Sequence, residues 1–287
     1  MHPHFPQSTK ILSTELSNFI QNKLYKMKTA LITGASSGIG KAFTELLASK
    51  NVNLVITARR TSELNEIKTN LENKHNISVT CFPMDLAIPN SAVDLYQQIK
   101  EAKITIDYLI NNAGFGGHGE FYKRDWKEEA NMIQLNILTL TQLCHLFLPD
   151  FITQNSGRIL NVASSAALVP GGPLQSVYFA TKAYVLSFSQ GLAGELTDKN
   201  ITVTALCPGA TETEFEKNAD LEGTQLFSGK TFSAEEVAKD GYKAMINGDL
   251  KKITALSFTQ KAGMKAASIV PTELALKTIK DMQQKKS

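Results

Sequence analysis

The stretch Thr29-Ala-Leu-Ile-Thr-Gly-Ala-Ser-Ser-Gly-Ile-Gly40 decides the fold of this chain. Its first five residues are apolar or β-branched and predict a short buried strand. The glycine- and serine-rich turn that follows leads into a helical pattern from about Gly38 to Ser49. Glycines let a backbone approach a ligand closely, and a helix N-terminus offers free amides with a partial positive charge. The stretch therefore predicts a strand, a phosphate-binding turn and a helix in succession.

Strand-like and helix-like segments alternate beyond this stretch. Further strand patterns lie at 53–58, 77–82, 106–110, 157–162 and 201–206, and helical patterns at 61–74, 90–102, 125–153 and 176–198. Pro149 could interrupt the third of these helices. Strands that alternate with helices pair in parallel and are covered on both faces, and right-handed crossovers then give a doubly wound sheet. The pattern predicts a three-layer α/β/α domain.

Length and composition fit one large domain with two tails. The chain has 287 residues, of which 43% are hydrophobic, and a net charge of +3 that is too small to indicate a nucleic-acid partner. Cys81, Cys144 and Cys207 lie far apart without a Cys-x-x-Cys pattern, which indicates buried thiols in a reducing compartment and no metal site. No uninterrupted apolar run approaches the roughly 18 residues that span a bilayer, and no secretory signal is evident. We therefore expect a cytoplasmic protein.

The two tails flank a predicted domain at 28–250. Residues 1–27 carry apolar residues at helical spacing and precede the first strand; a partner-binding helix, an artefact of the start site and an expression remnant all stay open. Residues 251–287 hold eight lysines and two acids among apolar residues. We expect this basic amphipathic segment to pack on the domain or extend it, with a dimer contact or a membrane-surface helix as alternatives.

Tyr178 and Lys182 are the residues that first suggest chemistry. Four residues apart on a helix, their side chains leave the same face and can touch. A lysine ammonium beside a phenol favours the phenolate, which lowers the tyrosine pKa from about 10 toward neutrality. The pair therefore predicts a tyrosine that exchanges a proton with a substrate oxygen.

Six motifs in this chain occur in the order of a known family. They are Thr33-Gly-Ala-Ser-Ser-Gly-Ile-Gly40, Asn111-Asn-Ala-Gly114, Asn136, Ser164-Ser165, Tyr178-x-x-x-Lys182 and Pro208-Gly209. Together they resemble the short-chain dehydrogenase/reductase superfamily in its single-domain form, over about residues 28–215. The resemblance implies a Rossmann-like sheet of about seven strands, a bound NAD(H) or NADP(H), and interconversion of a carbonyl compound and an alcohol.

The resemblance also implies a role for each catalytic residue. Tyr178 would be the general acid/base, Lys182 would bind the nicotinamide ribose and lower the tyrosine pKa, and Asn136 would hold a water in a proton relay. A serine would polarise the carbonyl oxygen. Counting from the fifth strand favours Ser164, whereas counting back from the tyrosine favours Ser165. We choose Ser164 because a strand is stiffer than the glycine- and proline-containing loop.

The end of the second strand separates the two cofactors. NAD enzymes of this type place an acid there for the ribose 2′-hydroxyl, but Ala58 takes that place here, followed by Arg59 and Arg60. Two cations suit a 2′-phosphate, so we expect NADP(H), with NAD(H) as the alternative. The implied cofactor-binding residues are Gly34, Ser36, Ser37, Gly38, Ile39, Gly40, Arg59, Arg60, Asp85, Leu86, Asn112, Ala113, Gly114, Tyr178, Lys182, Pro208, Gly209, Thr211 and Thr213.

The remaining expectations concern substrate and assembly. An apolar pocket indicates a medium-to-large apolar ketone or aldehyde, and His118 is expected in an exposed loop. Helices 125–148 and 176–198 resemble those through which family members form dimers and tetramers. The alternative function is a catalytically silent dinucleotide-binding sensor or scaffold, against which the complete Tyr, Lys, Ser and Asn set argues. The predicted pocket residues are Phe115, Val169, Leu174, Phe215 and Phe227.

Overall fold

The computed structural model describes residues 27–225, 231–267 and 270–284. Within them, seven parallel strands form one sheet in the order β3-β2-β1-β4-β5-β6-β7. The predicted doubly wound sheet is confirmed, and its order reverses between β1 and β4, where sheets of this type bind ligands. The helix predicted in residues 1–27 lies outside the described residues. The strands are β1 (Thr29–Thr33), β2 (Asn53–Ala58), β3 (Val79–Pro83), β4 (Tyr108–Asn111), β5 (Gly157–Val162), β6 (Ile201–Pro208) and β7 (Lys251–Thr254).

Helices cover both faces of the sheet. One face carries α1 (Gly38–Ala48), α2 (Thr61–Lys74) and α8 (Ala234–Asn247), whose buried side chains join one core cluster. The other carries α3 (Ser91–Glu101), α5 (Leu140–Gln154) and α6 (Ser176–Glu195) around a second core. The remaining helices are α4 (Trp126–Ile133), α7 (Phe215–Asn218), α9 (Phe258–Ala267) and α10 (Thr272–Gln283).

The two cores follow from the alternation of side chains along the strands. In β1, Ala30 and Ile32 enter the core that contains Phe43, whereas Leu31 enters the core that contains Phe147. Successive residues of a strand point to opposite faces, so a strand that is apolar throughout must be covered on both sides. This is why the sheet is buried between two helical layers.

Pro149 does not break the long helix. A π-helical turn at Gln134–Thr139 joins α4 to α5, and the helical stretch runs through the proline to Gln154. Proline removes one backbone hydrogen bond, but Phe147 and Phe151 on either side of it are fully buried against the sheet. Their burial holds the helix in place across the missing bond.

The same helical stretch passes a test for membrane spans by length and composition. Trp126–Gln154 has a mean hydropathy of 1.3 over its most apolar window, the one such helix among the described residues. Core helices of globular domains pass the same test, and the apolar face of α5 packs on β4 and β5. One face of this stretch therefore belongs to the core, and 39% of its most apolar window is buried.

The sheet continues past the boundary expected at residue 250. β7 pairs in parallel with β6, with Ile253 opposite Cys207. Residues 251–287 therefore begin with the edge strand of the sheet. Beyond β7, the chain forms α9 and α10, which return to the carboxyl ends of the strands.

Candidate active site

A cavity of about 1130 Å³ opens at the carboxyl ends of the strands. Every residue predicted for catalysis or cofactor binding lines it except Asn136 and Gly40. The turn after β1 and the arginines after β2 form one side, and α6, α9 and α10 contribute to the other. One continuous site therefore collects residues that are far apart in the sequence.

The turn after β1 is fixed by the end of β4. Gly34 has a φ of +68°, a left-handed conformation that favours glycine. A Cβ at Gly40 would collide with the Gly34 carbonyl oxygen and the Asn112 amide. The Asn112 Nδ2 donates to the carbonyl oxygens of Thr33 (2.9 Å) and Gly34 (3.2 Å). Asn112 therefore supports the turn, and Gly40 makes room for that support behind the cavity wall.

An anion-binding cluster lies beside this turn. The Arg60 Nη1 and Nη2 atoms donate to the Glu214 carboxylate at 3.2 and 3.0 Å, and Nη2 also donates to the Ser36 Oγ at 3.2 Å. Hydrogen bonds to the Glu214 carboxylate, chiefly from Arg60 and also from Ser37, hold its pKa below its usual value. Donors arranged in this way can bind two oxygens of one anion at the same time. Arg59 is exposed at the edge of the same cavity.

Ser164, Tyr178 and Lys182 come together at the end of β5. All three side chains are buried. The hydroxyls of Ser164 and Tyr178 are hydrogen-bonded, and the Ser164 Oγ also accepts from the Ala166 backbone N–H at 3.1 Å. The Lys182 Nζ donates to the Val162 carbonyl oxygen at 2.9 Å and lies 5.9 Å from the centroid of the tyrosine ring.

The predicted fall in the Tyr178 pKa is wrong for this structure. Burial raises the pKa of Tyr178 to about 12, and the hydrogen bond from Ser164 offsets only part of that rise. Burial likewise lowers the pKa of Lys182 to about 8. Desolvation disfavours the charged form of each group, and the ammonium is directed at a backbone carbonyl. Tyr178 is therefore a neutral phenol at neutral pH.

Asn136 lies in the π-helical turn behind the cavity wall. Its Oδ1 accepts from the Phe115 backbone N–H (3.2 Å), and its Nδ2 donates to the Phe115 carbonyl oxygen (3.0 Å) and the Thr181 Oγ1 (3.1 Å). A Cβ at Gly114 would lie 2.9 Å from the Asn136 Oδ1 and 3.4 Å from the Lys182 Nζ. The amide therefore fastens the loop after β4 to α6, next to the lysine.

The other predicted cofactor residues shape the rim. The Asp85 Oδ1 accepts from the Ala87 backbone N–H at 3.0 Å, so this carboxylate stabilises its own turn. After β6, Thr211 donates to the Gly209 carbonyl oxygen at 3.0 Å. A Cβ at Gly38 would lie 2.9 Å from the Thr213 Cγ2, so the segment after β6 packs directly on the glycine turn.

The substrate side of the cavity is largely apolar. Of the predicted pocket residues, Phe115, Val169 and Phe215 line it, and the rings of Phe215 and Tyr178 lie 5.4 Å apart. Leu174 is not among the lining residues, and Phe227 lies outside the described residues. The sequence reasoning missed most of this wall, whose further members are Gln175, Phe179, Met264, Leu274, Ile279, Met282 and Gln283.

The sequence gives some indication of Gln175 as a pocket residue and none of the residues of α10. Gln175 precedes Tyr178 by three residues, so helical spacing alone could have put both on one face. The α10 residues carry no such signal, because nothing in a basic amphipathic helix tells which surface it covers. His118 is likewise not the exposed loop histidine expected, since it is half-buried and its Nε2 lies 2.8 Å from the Gln283 carbonyl oxygen.

Comparison with known proteins agrees with this architecture. A family model described as short chain dehydrogenase matches residues 28–222. A very-long-chain 3-oxoacyl-CoA reductase-B from Danio rerio is 34% identical over 196 residues, 66% of this chain and 61% of that protein, so the match spans less than two thirds of that relative. An NADP-dependent 3-hydroxy acid dehydrogenase from Schizosaccharomyces pombe is 33% identical over 238 residues, 82% of this chain and 88% of that protein.

A solved structure gives the same result. A short-chain dehydrogenase from Sphingobium yanoikuyae in complex with NADPH is 29% identical and superposes with a TM-score of 0.75, over 91% of this chain and 98% of that one. The family model covers more than half of the chain, and the fold and strand order agree with the resemblance drawn from the motifs. The chain belongs to the short-chain dehydrogenase family.

Proposed function

We propose that this chain is an NADP(H)-dependent oxidoreductase that interconverts a ketone or aldehyde and an alcohol, with a medium-to-large apolar substrate. One observation carries the proposal: the hydrogen-bonded hydroxyls of Ser164 and Tyr178 open into the cavity that also contains the glycine turn and Arg60. A proton donor and a nucleotide-binding edge thus share one site. That combination suits reduction of a carbonyl group by a dinucleotide.

The residues present fit an NADP(H) dinucleotide. The glycine turn lines the cavity at positions where a Cβ would collide with Asn112 or Thr213, so its backbone is bare, and the N-terminus of α1 faces the cavity. Arg60 and Ser37 already bind a carboxylate, that of Glu214, and Arg60 also donates to Ser36, so the chemistry of this cluster suits a 2′-phosphate. Two of the relatives support this preference, because one was solved with NADPH and another is named NADP-dependent.

The chain's own residues would then divide the work as follows. The nicotinamide, when bound, supplies the hydride. Tyr178, protonated because its pKa is about 12, donates a proton to the carbonyl oxygen, and Ser164 donates a hydrogen bond to the same oxygen. Lys182 binds the ribose hydroxyls. Asn136 holds the neighbouring backbone in place for a relay that returns a proton to the tyrosine.

The wall of the substrate side supports an apolar substrate. Val169, Phe179, Phe215 and Ile279 present hydrocarbon surface next to the catalytic phenol, and burial of apolar groups from water favours binding of similar groups. Two relatives are named for 3-oxoacyl and 3-hydroxy acid groups. Acyl chains are therefore the first substrate class to test.

We further propose a homodimer or homotetramer in the cytoplasm. Leu138 and Tyr184 expose apolar surface on the helices expected to form the interface. Exposed apolar groups on adjacent helices favour association of identical surfaces. Light scattering at micromolar concentration measures the assembly directly, and a monomer at all concentrations would contradict it.

The decisive experiment compares Tyr178→Phe with the wild-type protein. NADPH oxidation is followed across a panel of aldehydes and ketones, and NADPH affinity is measured by fluorescence. We expect turnover to fall by about 10²- to 10⁴-fold, the usual contribution of a general acid, with NADPH affinity retained. Tyr184→Phe, on the same helix but partly exposed, is the matched control and should keep wild-type rates.

Two outcomes of this comparison would contradict the proposal. Equal rates for Tyr178→Phe and wild type would remove the phenol from the mechanism. NADPH binding by the wild type without turnover of any carbonyl would favour the silent sensor instead.

A further inference from the structure

Two buried glutamines on the substrate side have amide groups without partners. Gln175 is 3% exposed and Gln283 is 1% exposed, and both line the cavity. Among the described residues, the Nε2 of Gln175 and both the Oε1 and Nε2 of Gln283 make no hydrogen bond. Buried side-chain polar atoms nearly always have a partner in folded proteins. These three atoms are sealed without a partner beside the cavity, so a turn of either side chain toward the cavity would let its amide bond a ligand there.

One short loop connects the two glutamines. The His118 Nε2 lies 2.8 Å from the backbone carbonyl oxygen of Gln283. The next residue, Gly119, donates its backbone N–H to the Leu174 carbonyl oxygen at 2.8 Å. Because residues 118 and 119 are adjacent, the end of α10 and the segment before α6 meet at the same place. Both glutamines therefore border the same part of the cavity.

The backbone before Gln175 is held in an uncommon conformation. Leu174 has a φ of +69°, in the left-handed region that a leucine rarely adopts. Hydrogen bonds from Gly119 to Leu174 and from the Gln175 N–H to the Gly172 carbonyl oxygen (2.9 Å) hold it there. Strained backbone of this kind clusters at active sites and ligand-binding segments. Here the strained residue directly precedes Gln175, the N-cap of α6, which lies three residues before Tyr178 and lines the same cavity.

The charges near this part of the cavity are already paired. Arg124 donates to the His118 carbonyl oxygen at 2.9 Å and forms ion pairs with Glu128 and Glu129. A charged ligand group would find no uncompensated arginine in this loop as described. Amides, by contrast, are suited to uncharged oxygen groups, because they donate and accept without a counter-charge.

We propose that Gln175 and Gln283 form a polar subsite for a second, uncharged oxygen of the substrate, such as an ester, thioester or amide carbonyl, separate from the carbonyl that reacts. The inference rests on the proposed oxidoreductase function and adds a substrate feature to it. A plain hydrocarbon chain would leave the amides buried without partners, and a site built this way discriminates strongly against the analogue that lacks the oxygen. The subsite therefore selects oxygen-bearing chains among apolar ketones.

Matched substrates test the subsite. Methyl 5-oxohexanoate and methyl 7-oxooctanoate carry a remote ester, and 2-octanone and 2-decanone are the same chains without it. We measure kcat/KM by NADPH oxidation for wild type, Gln175→Leu and Gln283→Leu. Gln154→Leu is the control, because Gln154 lies at the end of α5, outside the cavity lining, and donates to the Ile106 carbonyl oxygen.

The expected result is a change in preference rather than in overall rate. Wild type and Gln154→Leu should favour the esters over the matched ketones by at least tenfold, and that ratio should fall at least tenfold in either cavity variant. An unchanged ratio, or an equal loss for ester and ketone, would overturn the subsite and assign the glutamines a structural role.

Calorimetry separates failure of the subsite from failure of the oxidoreductase proposal. The four probes are titrated into the nucleotide-free wild type and the same variants. If the wild type turns over none of them, the catalytic proposal fails for these compounds. Tighter binding of the esters, lost in the leucine variants, would still support the subsite, and equal affinities for ester and ketone would overturn it.

Discussion

The two sides of the cavity are built in different ways. On the nucleotide side, the turn at 33–40 and the strand end at 111–114 are joined by short hydrogen bonds to backbone atoms. On the substrate side, side chains from α6, α7, α9 and α10 meet across long stretches of sequence. Backbone geometry therefore determines the first side, and side-chain identity determines the second. The first should tolerate little change, and changes in the second should alter only what is bound there.

The largest effect is expected from Gly40→Ala on the nucleotide side. The added Cβ would collide with the Gly34 carbonyl oxygen and the Asn112 amide. The Gly34 carbonyl is part of the backbone, so it cannot move aside by a change of side-chain rotamer. We expect a loss of about 3 kcal/mol in the free energy of unfolding, at the upper end for overpacking, together with weakened NADPH binding. Urea denaturation and fluorescence titration measure the two.

Gly191→Ala is the matched control for this substitution. Nothing lies within 4 Å of a Cβ at Gly191, inside α6, so alanine should stabilise the protein by roughly 0.5–1 kcal/mol. Equal stability of the two variants would show that the turn is not constrained as described.

The second prediction concerns Lys182, which stands between the two sides. Lysine titrates near pH 10.4 in unfolded chains but at about 8 in this fold. Between these values the unfolded state binds more protons, so the lysine's contribution to stability rises with pH; below about pH 8 its full burial penalty applies. The advantage of Lys182→Met over wild type in unfolding free energy should therefore shrink by about 2 to 3 kcal/mol between pH 7 and pH 10.

Urea denaturation of both proteins across this pH range provides the measurement. Taking the difference between the variants removes the opposite trend from buried thiols and phenols, whose pKa values are raised. A difference independent of pH would mean that the folded-state pKa of Lys182 is normal.

The third prediction concerns the anion-binding cluster, where Arg60 attracts the 2′-phosphate and Glu214 competes with the phosphate for Arg60. Arg60→Ala should weaken NADPH binding by about tenfold, since a partly exposed charged hydrogen bond contributes about 1.5 kcal/mol, and should affect NADH much less. Glu214→Gln should act in the opposite direction, because its carboxylate occupies the same Arg60 donors. Fluorescence titrations with both nucleotides test this pair, together with Arg59→Ala. Equal losses for NADPH and NADH would contradict a 2′-phosphate role.

The smallest effect is expected from Ile279→Ala on the substrate side. Ile279 packs against the cluster of Tyr178 and Phe179. Its loss should raise KM for 2-decanone about fivefold, which corresponds to the binding free energy of one or two buried methylene groups. NADPH affinity should not change. Ile246→Ala, an exposed residue of α8 outside the cavity lining, serves as the control. A parallel change in NADPH affinity would mean that the two sides are not independent.

The sequence predicted the nucleotide side well because its signals are local. The bounds of β1, β2, α2 and β5 agree with the patterns that predicted them. Glycine turns, strand ends and the basic pair after β2 each depend on neighbouring residues only. The doubly wound arrangement of the sheet followed from the handedness of crossovers, which does not depend on sequence detail, whereas the strand order came from the structure.

The substrate side depends on contacts that spacing does not reveal. The Gln283 carbonyl oxygen contacts His118 across 165 residues, and on the nucleotide side Glu214 pairs with Arg60 across 154 residues; spacing revealed neither contact. The direction of the Tyr178 pKa shift was missed for the same reason, because a Tyr-x-x-x-Lys spacing reports proximity but not burial. Pro149 was expected to interrupt the helix because proline removes a backbone hydrogen bond, but the burial of Phe147 and Phe151 keeps the helix continuous.

The position of α10 has an evolutionary consequence. The family model ends at residue 222, yet side chains from residues 274–283 line the cavity beside Tyr178. Replacement of this helix would change the side chains that line the substrate side of the cavity, while the register of all seven strands stayed the same. Divergent paralogues could thus acquire new ligand preferences through one carboxy-terminal exchange, and a protein engineer could graft such helices as interchangeable cassettes.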